Sequence, residues 1–152
     1  MLIQSTRFGE IEVSEDKLLQ FPHGLPGFPE ERGFAYLPSA DDNPFAFLQS
    51  TNEPDLTFIV VDPFAFFKDY EFSLDDQIAS ELGLSSDNPP QIINIVSVPA
   101  NAEEMTANLL APVIVNTQSR TAIQMVLEKT AYTTRHRLFP NGFEQPPGKE
   151  GK

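Results

Sequence analysis

The chain has 152 residues, no cysteine, and 22 acidic residues against 10 basic ones, which gives a formal net charge of −12. This length predicts a single domain, and a domain of about 150 residues buries about 68–70% of its unfolded surface, enough to fold without a metal or a cross-link. The lack of cysteine excludes disulfides, zinc–thiolate sites, iron–sulfur clusters and thiol nucleophiles. No signal-peptide pattern and no apolar run of membrane-spanning length occur, so we expect a cytoplasmic protein without membrane contact.

The negative charge is concentrated in the first 110 residues. This part contains four basic and nineteen acidic residues, a net charge of −15, whereas the remainder carries +3. An acidic body repels phosphate backbones, so we expect no direct nucleic-acid binding. The acidity serves either solubility or the steering of a basic protein partner.

Two apolar, β-branched runs joined by a short polar link dominate the second half of the chain. The first extends from Met105 to Asn116 and the second from Thr121 to Leu127. This pattern predicts an antiparallel hairpin. A hairpin alone is marginally stable in water, so we expect it to lie in a larger sheet, next to the apolar segments 58–61 and 92–98.

Further strands are predicted along the first half. Residues 1–6 and 10–13 form two short strands around Gly9, which can adopt a positive φ. Residues 17–21 are a further short apolar segment, 34–37 are a strand, and 45–50 with 56–61 form a second hairpin. The expected fold is mainly β: a small antiparallel β-barrel-like single domain over residues 1–139, with one or two short helices.

Residues 21–29 contain three prolines and two glycines, which predicts a rigid, turn-rich loop. Its apolar residues Phe21, Leu25 and Phe28 either plug one end of the barrel or form an exposed contact surface. The plug is the preferred interpretation, because exposed apolar patches are uncommon without a partner.

Residues 73–83 give the clearest helix signal. Ser73 is the expected N-cap, acidic residues fill the first turn, and Gly83 ends the helix. Leu74, Ile78 and Leu82 recur every four residues, which predicts a helix packed as a lid on the sheet.

After Lys129, residues 132–139 either extend the last strand or form a short helix. Glycine, proline and charged residues dominate positions 140–152, which predicts a disordered C-terminal tail.

No residue pattern argues for an enzyme. His23 lies in the rigid loop and His136 lies between two arginines, and neither is near a glycine-flanked serine. The acidic pairs at 41–42, 75–76 and 103–104 are better interpreted as solvated groups than as a metal or glycosidase site. Phosphate-loop, dinucleotide, zinc-protease and EF-hand spacings are absent. We expect no catalysis, no cofactor and no metal.

Three amides interrupt apolar runs: Asn94, Asn108 and Gln124. A buried amide is costly unless it is hydrogen-bonded, so each should have a partner. The preferred interpretation is an amide that ties a loop to the barrel; the alternative is an amide at a protein contact.

Several motifs, taken together and in order, resemble the FliW family of flagellar assembly factors over residues up to about 139. They are Phe8-Gly9, the loop at 21–28, Leu48-Gln49-Ser50, Asp62-Pro63-Phe64, Asp69-Tyr70 and the segment 105–112.

The resemblance implies a β-barrel-like protein without catalytic activity that binds two partners. One is CsrA, a small RNA-binding translational repressor, and the other is flagellin, which the protein also chaperones. Retained flagellin would occupy the factor and free the repressor, which then stops flagellin translation. By this likeness, the expected partner-binding residues are Leu25, Phe28, Gln49, Ser50, Asp69, Tyr70, Glu71 and Asn108.

The alternative is a small-ligand-binding barrel or a metal-dependent hydrolase that uses acidic clusters, with Asp75 and Asp76 as the pair to test.

Overall fold

A computed structural model describes residues 1–39 and 43–142, which form eleven strands and one α-helix. The strands are β1 (Leu2–Ser5), β2 (Gly9–Glu12), β3 (Leu18–Gln20), β4 (Gly33–Pro38), β5 (Phe45–Ser50), β6 (Thr57–Val61), β7 (Gln91–Ser97), β8 (Thr106–Ala107), β9 (Val113–Asn116), β10 (Thr121–Gln124) and β11 (His136–Arg137). Helix α1 spans Asp76–Leu82. Within the described ranges, no helix is long and apolar enough to cross a membrane.

Seven of the strands form a closed barrel in the order β7-β6-β5-β4-β3-β10-β9, with β9 pairing back onto β7. The barrel closes because β7 pairs with two different strands, β9 and β8, along one of its edges. Its residues 91–93 pair with β9, whereas Val96 and Ser97 pair with β8, and β11 extends the sheet beyond β8. The pairings are antiparallel except for β10 with β3. The prediction of a mainly β, barrel-like fold is confirmed.

The barrel interior is filled by apolar side chains that alternate along the strands. Val113 and Val115 of β9 lie in the core cluster with Phe21, Phe34 and other buried residues. The intervening Ile114 faces the opposite side and packs in the cluster beneath α1. Full burial of each such side chain stabilises the fold by about 1.5–3 kcal/mol, so the two-residue period of β9 determines which face points inward.

Strands β1 and β2 form a separate antiparallel hairpin, as predicted, with Gly9 at a φ of +77°. Ile3 and Val13 are buried against Ala35 of β4, so this hairpin covers the outside of the barrel.

The predicted strand 105–116 is wrong as a single element. It divides into β8 and β9, and residues 108–112 between them form a non-strand segment. The side-chain oxygen of Asn108 accepts a hydrogen bond from the amide of Ala111 at 3.1 Å, which favours a turn, and Pro112 has no amide to donate to a ladder. The hairpin itself is confirmed for β9 and β10, where Asn116 lies opposite Thr121.

The predicted N-cap of the helix is also wrong. Asp75, not Ser73, caps α1, and its carboxylate accepts hydrogen bonds from the amides of Gln77 at 2.8 Å and Ile78 at 3.4 Å. Gly83 ends the helix in the left-handed conformation, as predicted. The predicted apolar stripe, Leu74, Ile78 and Leu82, packs on the outer face of the barrel. There it contacts the cluster that contains Ile114 of β9 and Ile123 of β10.

Residues 132–139 neither extend β10 nor form a helix. Only His136 and Arg137 are in a strand, because they pair with the two-residue strand β8 rather than with β10. The predicted disordered tail begins at Pro140; Gly142 still donates to the carbonyl of Phe139 at 2.9 Å, and positions 143–152 lie outside the described residues. The acidic pair 41–42 lies outside them as well.

Candidate protein-binding surface

Three open grooves lie next to one another on the surface of the barrel. The acidic groove, of about 520 Å³, is lined by Phe28, Glu31, Asn52, Glu53, Asp55 and Leu56. The apolar groove, of about 350 Å³, is lined by Leu25, Pro26, Phe58, Ile95, Asn108, Leu110, Ala111, Gln124, Val126 and Thr134. The helix-side groove, of about 510 Å³, lies between residues 71–75 and 125–130.

The three grooves are connected through shared or touching side chains. The ring of Phe28 in the acidic groove meets the ring of Phe58 in the apolar groove edge-on, with centroids 5.7 Å apart. Val126 lines both the apolar and the helix-side grooves and is 58% exposed. A single partner could therefore contact apolar and acidic atoms along one surface.

The wall of the acidic groove is held by the buried hydroxyl of Ser50. This hydroxyl donates to Oε1 of Glu31 at 2.7 Å. It also accepts hydrogen bonds from the amides of Asn52 at 3.1 Å and Glu53 at 2.9 Å. Ser50 thus fixes the turn after β5 and the carboxylate of Glu31 at the same time.

Gln49 supports the same turn from the interior and is fully buried. Its side-chain nitrogen donates to the carbonyls of Glu53 and Pro54 at 3.4 and 3.3 Å. Its side-chain oxygen accepts from the hydroxyls of Ser5, at 2.7 Å, and Thr57. Every polar atom of this buried amide is satisfied, as a stable core requires.

The proline- and glycine-rich loop both plugs the barrel and exposes a side chain. Phe21 and Leu25 belong to the barrel core, whereas Phe28 is 40% exposed. Leu25 and Phe28 are joined by backbone hydrogen bonds of 2.7 and 3.3 Å. At Gly24, which has a φ of +65°, an added Cβ would lie 2.5 Å from the carbonyl oxygen of Pro29, so only glycine fits there.

A buried polar cluster lies behind the apolar groove. The hydroxyl of Tyr70 donates to the carbonyl of Leu109 at 2.7 Å. The side-chain nitrogen of Asn94 donates to the carbonyl of Asn108 at 2.8 Å and to the Tyr70 hydroxyl at 3.3 Å. Burial raises the pKa of Tyr70 to about 12, although the hydrogen bond from Asn94 lowers it. The Oδ1 atom of Asn94 is buried without a hydrogen-bond partner among the described residues.

Two of the three interrupting amides, Asn94 and Gln124, tie the 108–112 segment to the barrel, as the preferred interpretation predicted. Gln124 of β10 donates from its side chain to the carbonyl of Ala111 at 3.0 Å. Asn94 of β7 fixes the other end by donating to the carbonyl of Asn108, whereas the Asn108 side chain bonds within the segment, to the amide of Ala111. The prediction that these amides contact a partner stays a prediction.

Sequence comparisons place this architecture among known proteins. The family model described as FliW protein matches residues 2–138. The chain belongs to the FliW family. The flagellar assembly factor FliW of Desulfitobacterium hafniense strain DSM 10664 / DCB-2 is 49% identical over 99% of this chain and 100% of its own length. The Bacillus subtilis strain 168 factor is 42% identical over 90% of this chain and 95% of its own length.

A solved structure agrees with the FliW assignment. The crystal structure of the flagellar assembly factor FliW superposes with a TM-score of 0.83 at 37% identity, over 92% of this chain and 98% of that one. The resemblance that the sequence motifs indicated is confirmed, and with it the barrel fold.

The FliW-like residues predicted to contact partners divide into two groups. Leu25, Gln49, Ser50 and Tyr70 are buried. Gln49, Ser50 and Tyr70 hold turns and the 108–112 segment from the interior, whereas Leu25 also lines the apolar groove. The other four, Phe28, Asp69, Glu71 and Asn108, are exposed or half-buried. Phe28, Glu71 and Asn108 each line one of the grooves. Their role in binding stays a prediction.

Sequence reasoning missed the acidic residues of the first groove, Glu31, Glu53 and Asp55. A signal was present, because two of them lie in the turn that separates the strands of the second hairpin, next to Leu56. Their convergence with Phe28 depends on the pairing of β4 with β5, which the local sequence does not specify.

One residue of the acidic pair considered for metal or hydrolytic chemistry, Asp75, has a structural role. Asp75 is occupied by capping α1, and residues 1–39 and 43–142 contain no group of three or more His, Asp or Glu side chains that could hold a metal ion. His23 contacts Oε2 of Glu81 at 2.6 Å and links the rigid loop to α1. His136 accepts from the amide of Thr133 at 2.9 Å.

Proposed function

We propose that this FliW-family chain binds the translational repressor CsrA and flagellin, and that it antagonises the RNA binding of CsrA. In this partner switch, cytoplasmic flagellin occupies the chain and leaves CsrA free to repress flagellin translation. As flagellin is exported, the chain returns to CsrA and translation resumes. The observation that carries the proposal is the connected set of grooves, in which exposed apolar side chains lie next to the carboxylates of Glu31, Glu53 and Asp55.

The charge supports a basic partner. A protein that binds RNA presents a basic face, and the first 110 residues of this chain carry a net charge of −15. Complementary charge accelerates encounter and disfavours wrong partners. The same field repels RNA phosphates, so a bound FliW-like chain would weaken RNA binding even without covering the RNA site.

The exposed apolar side chains support a protein partner rather than a small solute. Phe28 is 40% and Val126 58% exposed, and both line the connected grooves. Aromatic and aliphatic side chains that are exposed together commonly mark protein interfaces. The proposed activity is therefore occupancy of other proteins rather than turnover of a substrate.

The proposal is tested by calorimetric titration of the purified chain with CsrA and with the C-terminal helix of flagellin, at low and high salt. We expect both to bind, and the affinity for CsrA to fall as salt screens the attraction. The control is a basic protein that has a net charge similar to that of CsrA but does not bind RNA. It should bind the chain much more weakly than CsrA does. Binding of neither CsrA nor flagellin would overturn the proposal.

A further inference from the structure

We propose that the acidic groove receives a lysine or arginine side chain of the repressor. The aliphatic stem would lie on Phe28 and Leu56, and the cationic group would lie at the carboxylates of Glu31 and Glu53. This assignment rests on the proposed function, and it specifies which part of the surface recognises the basic partner and by what chemistry.

Among the described residues, no Lys or Arg forms an ion pair with the carboxylates of this groove. The ion pairs found within residues 1–39 and 43–142 are Met1 with Glu12 and His23 with Glu81. Neither pair includes Glu31, Glu53 or Asp55, so no Lys or Arg of the described chain lies within 4 Å of these carboxylates. A cation from a partner would therefore relieve mutual repulsion without breaking an existing ion pair.

One of these carboxylates is fixed before any partner arrives. Glu31 accepts the 2.7 Å hydrogen bond from the buried Ser50 hydroxyl and a longer one, of 3.5 Å, from the side chain of Asn52. Since Ser50 is itself held by the turn amides, the carboxylate has little freedom left to lose. A group that is ordered in advance binds a partner at a lower entropic cost.

The aromatic ring of the groove is fixed as well. Phe28 lies within the turn in which Gly24 packs against the backbone of Pro29, and its ring rests edge-on against Phe58. The exposed face of an aromatic ring attracts a cation, and the methylene stems of lysine and arginine pack well on apolar surface. Phe28 and the carboxylates thus favour the same kind of side chain.

The neighbouring grooves differ in the chemistry that they offer. The residues that line the apolar groove include no carboxylate. The helix-side groove contains Lys129 beside its acidic residues Glu71, Asp75 and Glu128. Of these three grooves, only the acidic one combines an exposed aromatic ring with carboxylates and no basic side chain. Of the three grooves, the acidic one therefore offers a basic side chain the most favourable contacts.

The test compares two double variants with the same change in net charge. E31Q/E53Q removes two of the three carboxylates that line the groove, leaves Asp55 in place, and keeps an oxygen at position 31 for Ser50. The control, E15Q/D87N, removes two exposed charges elsewhere, neither of which makes a side-chain hydrogen bond in the described chain. In calorimetric titrations with CsrA, we expect E31Q/E53Q to weaken binding by about five- to tenfold and the control by less than twofold. F28L should also weaken binding several-fold, because it keeps apolar volume and removes the ring face.

The outcomes separate this assignment from the function on which it rests. If CsrA binds the unmodified chain and the two double variants weaken binding equally, the groove assignment is wrong and the proposed function stands. If CsrA does not bind the unmodified chain, the proposed function fails and the groove assignment fails with it. E53Q alone repeats the test in case the double variant melts early, since the Glu53 side chain has no hydrogen-bond partner among the described residues.

Discussion

The hydroxyl of Tyr70 donates a 2.7 Å hydrogen bond to the backbone carbonyl of Leu109, 39 residues further along the chain. This contact joins the aromatic segment after β6 to residues 108–112, the non-strand segment that interrupts the predicted strand 105–116. Asn108 and Leu110 of that segment line the apolar groove. The buried Tyr70 hydroxyl therefore holds the backbone that forms one wall of this groove.

Replacing Tyr70 with phenylalanine should lower the free energy of unfolding by about 1–3 kcal/mol. The change leaves the buried carbonyl of Leu109 without its donor and removes an acceptor for Asn94. Urea unfolding measures the effect. Y36F is the control, because the half-buried Tyr36 hydroxyl only accepts a weaker 3.4 Å bond from Gln91. Equal losses in the two variants would contradict the assigned role.

The same residue predicts alkaline sensitivity. The pKa of Tyr70 is raised to about 12 in the folded chain, against 10.0 for an unperturbed tyrosine. Between these two pH values the unfolded chain releases the phenol proton more readily than the folded chain does, so stability should fall as the pH rises. Unfolding measured between pH 8 and pH 11 should show a smaller decline for Y70F than for the unmodified chain. Parallel declines would argue against the raised pKa.

The N-cap of α1 gives a matched pair of variants. D75A should destabilise the chain by about 0.5–2 kcal/mol, because it removes the acceptor of two helix amides. S73A should change little, since Ser73 is exposed and lies before the cap. Thermal unfolding of the two variants distinguishes the observed cap from the one predicted by sequence. A larger loss for S73A would show that the helix begins earlier.

Two glycines of the rigid loop test how it positions Phe28. Gly24 and Gly27 both have positive φ, but only at Gly24 would a Cβ collide with the backbone of Pro29. G27A should therefore cost about 1–2 kcal/mol from backbone strain alone, and G24A should cost clearly more. Denaturant unfolding measures the free energy of unfolding of both variants. Equal losses would mean that the backbone at Pro29 shifts to make room for the added Cβ at position 24.

The sequence predicted the parts of the fold that depend on local periodicity. The strands around Gly9 and the hairpin β5–β6 follow from alternation and turn residues, and they lie where these patterns placed them. The broken strand at 108–112 could not be predicted in this way, because an apolar run does not reveal that the Asn108 side chain will bond to the backbone of Ala111.

The candidate site was harder to predict for a related reason. Gln49 and Ser50 are named by the family motif, yet their side chains point inward and hold a turn. The groups that they position, the half-buried Glu31 and the exposed Glu53, come from separate turns that meet only after β4 pairs with β5. Long-range pairing, rather than composition, thus decides which acidic residues share a groove.

The most direct test of the proposed role is RNA release. A labelled RNA carrying the CsrA-binding site is saturated with CsrA, and the purified chain is added while fluorescence anisotropy is recorded. We predict that the anisotropy falls as the chain is added and that excess flagellin restores it. An anisotropy that stays constant, at chain concentrations where calorimetry shows CsrA to be fully bound, would contradict the account.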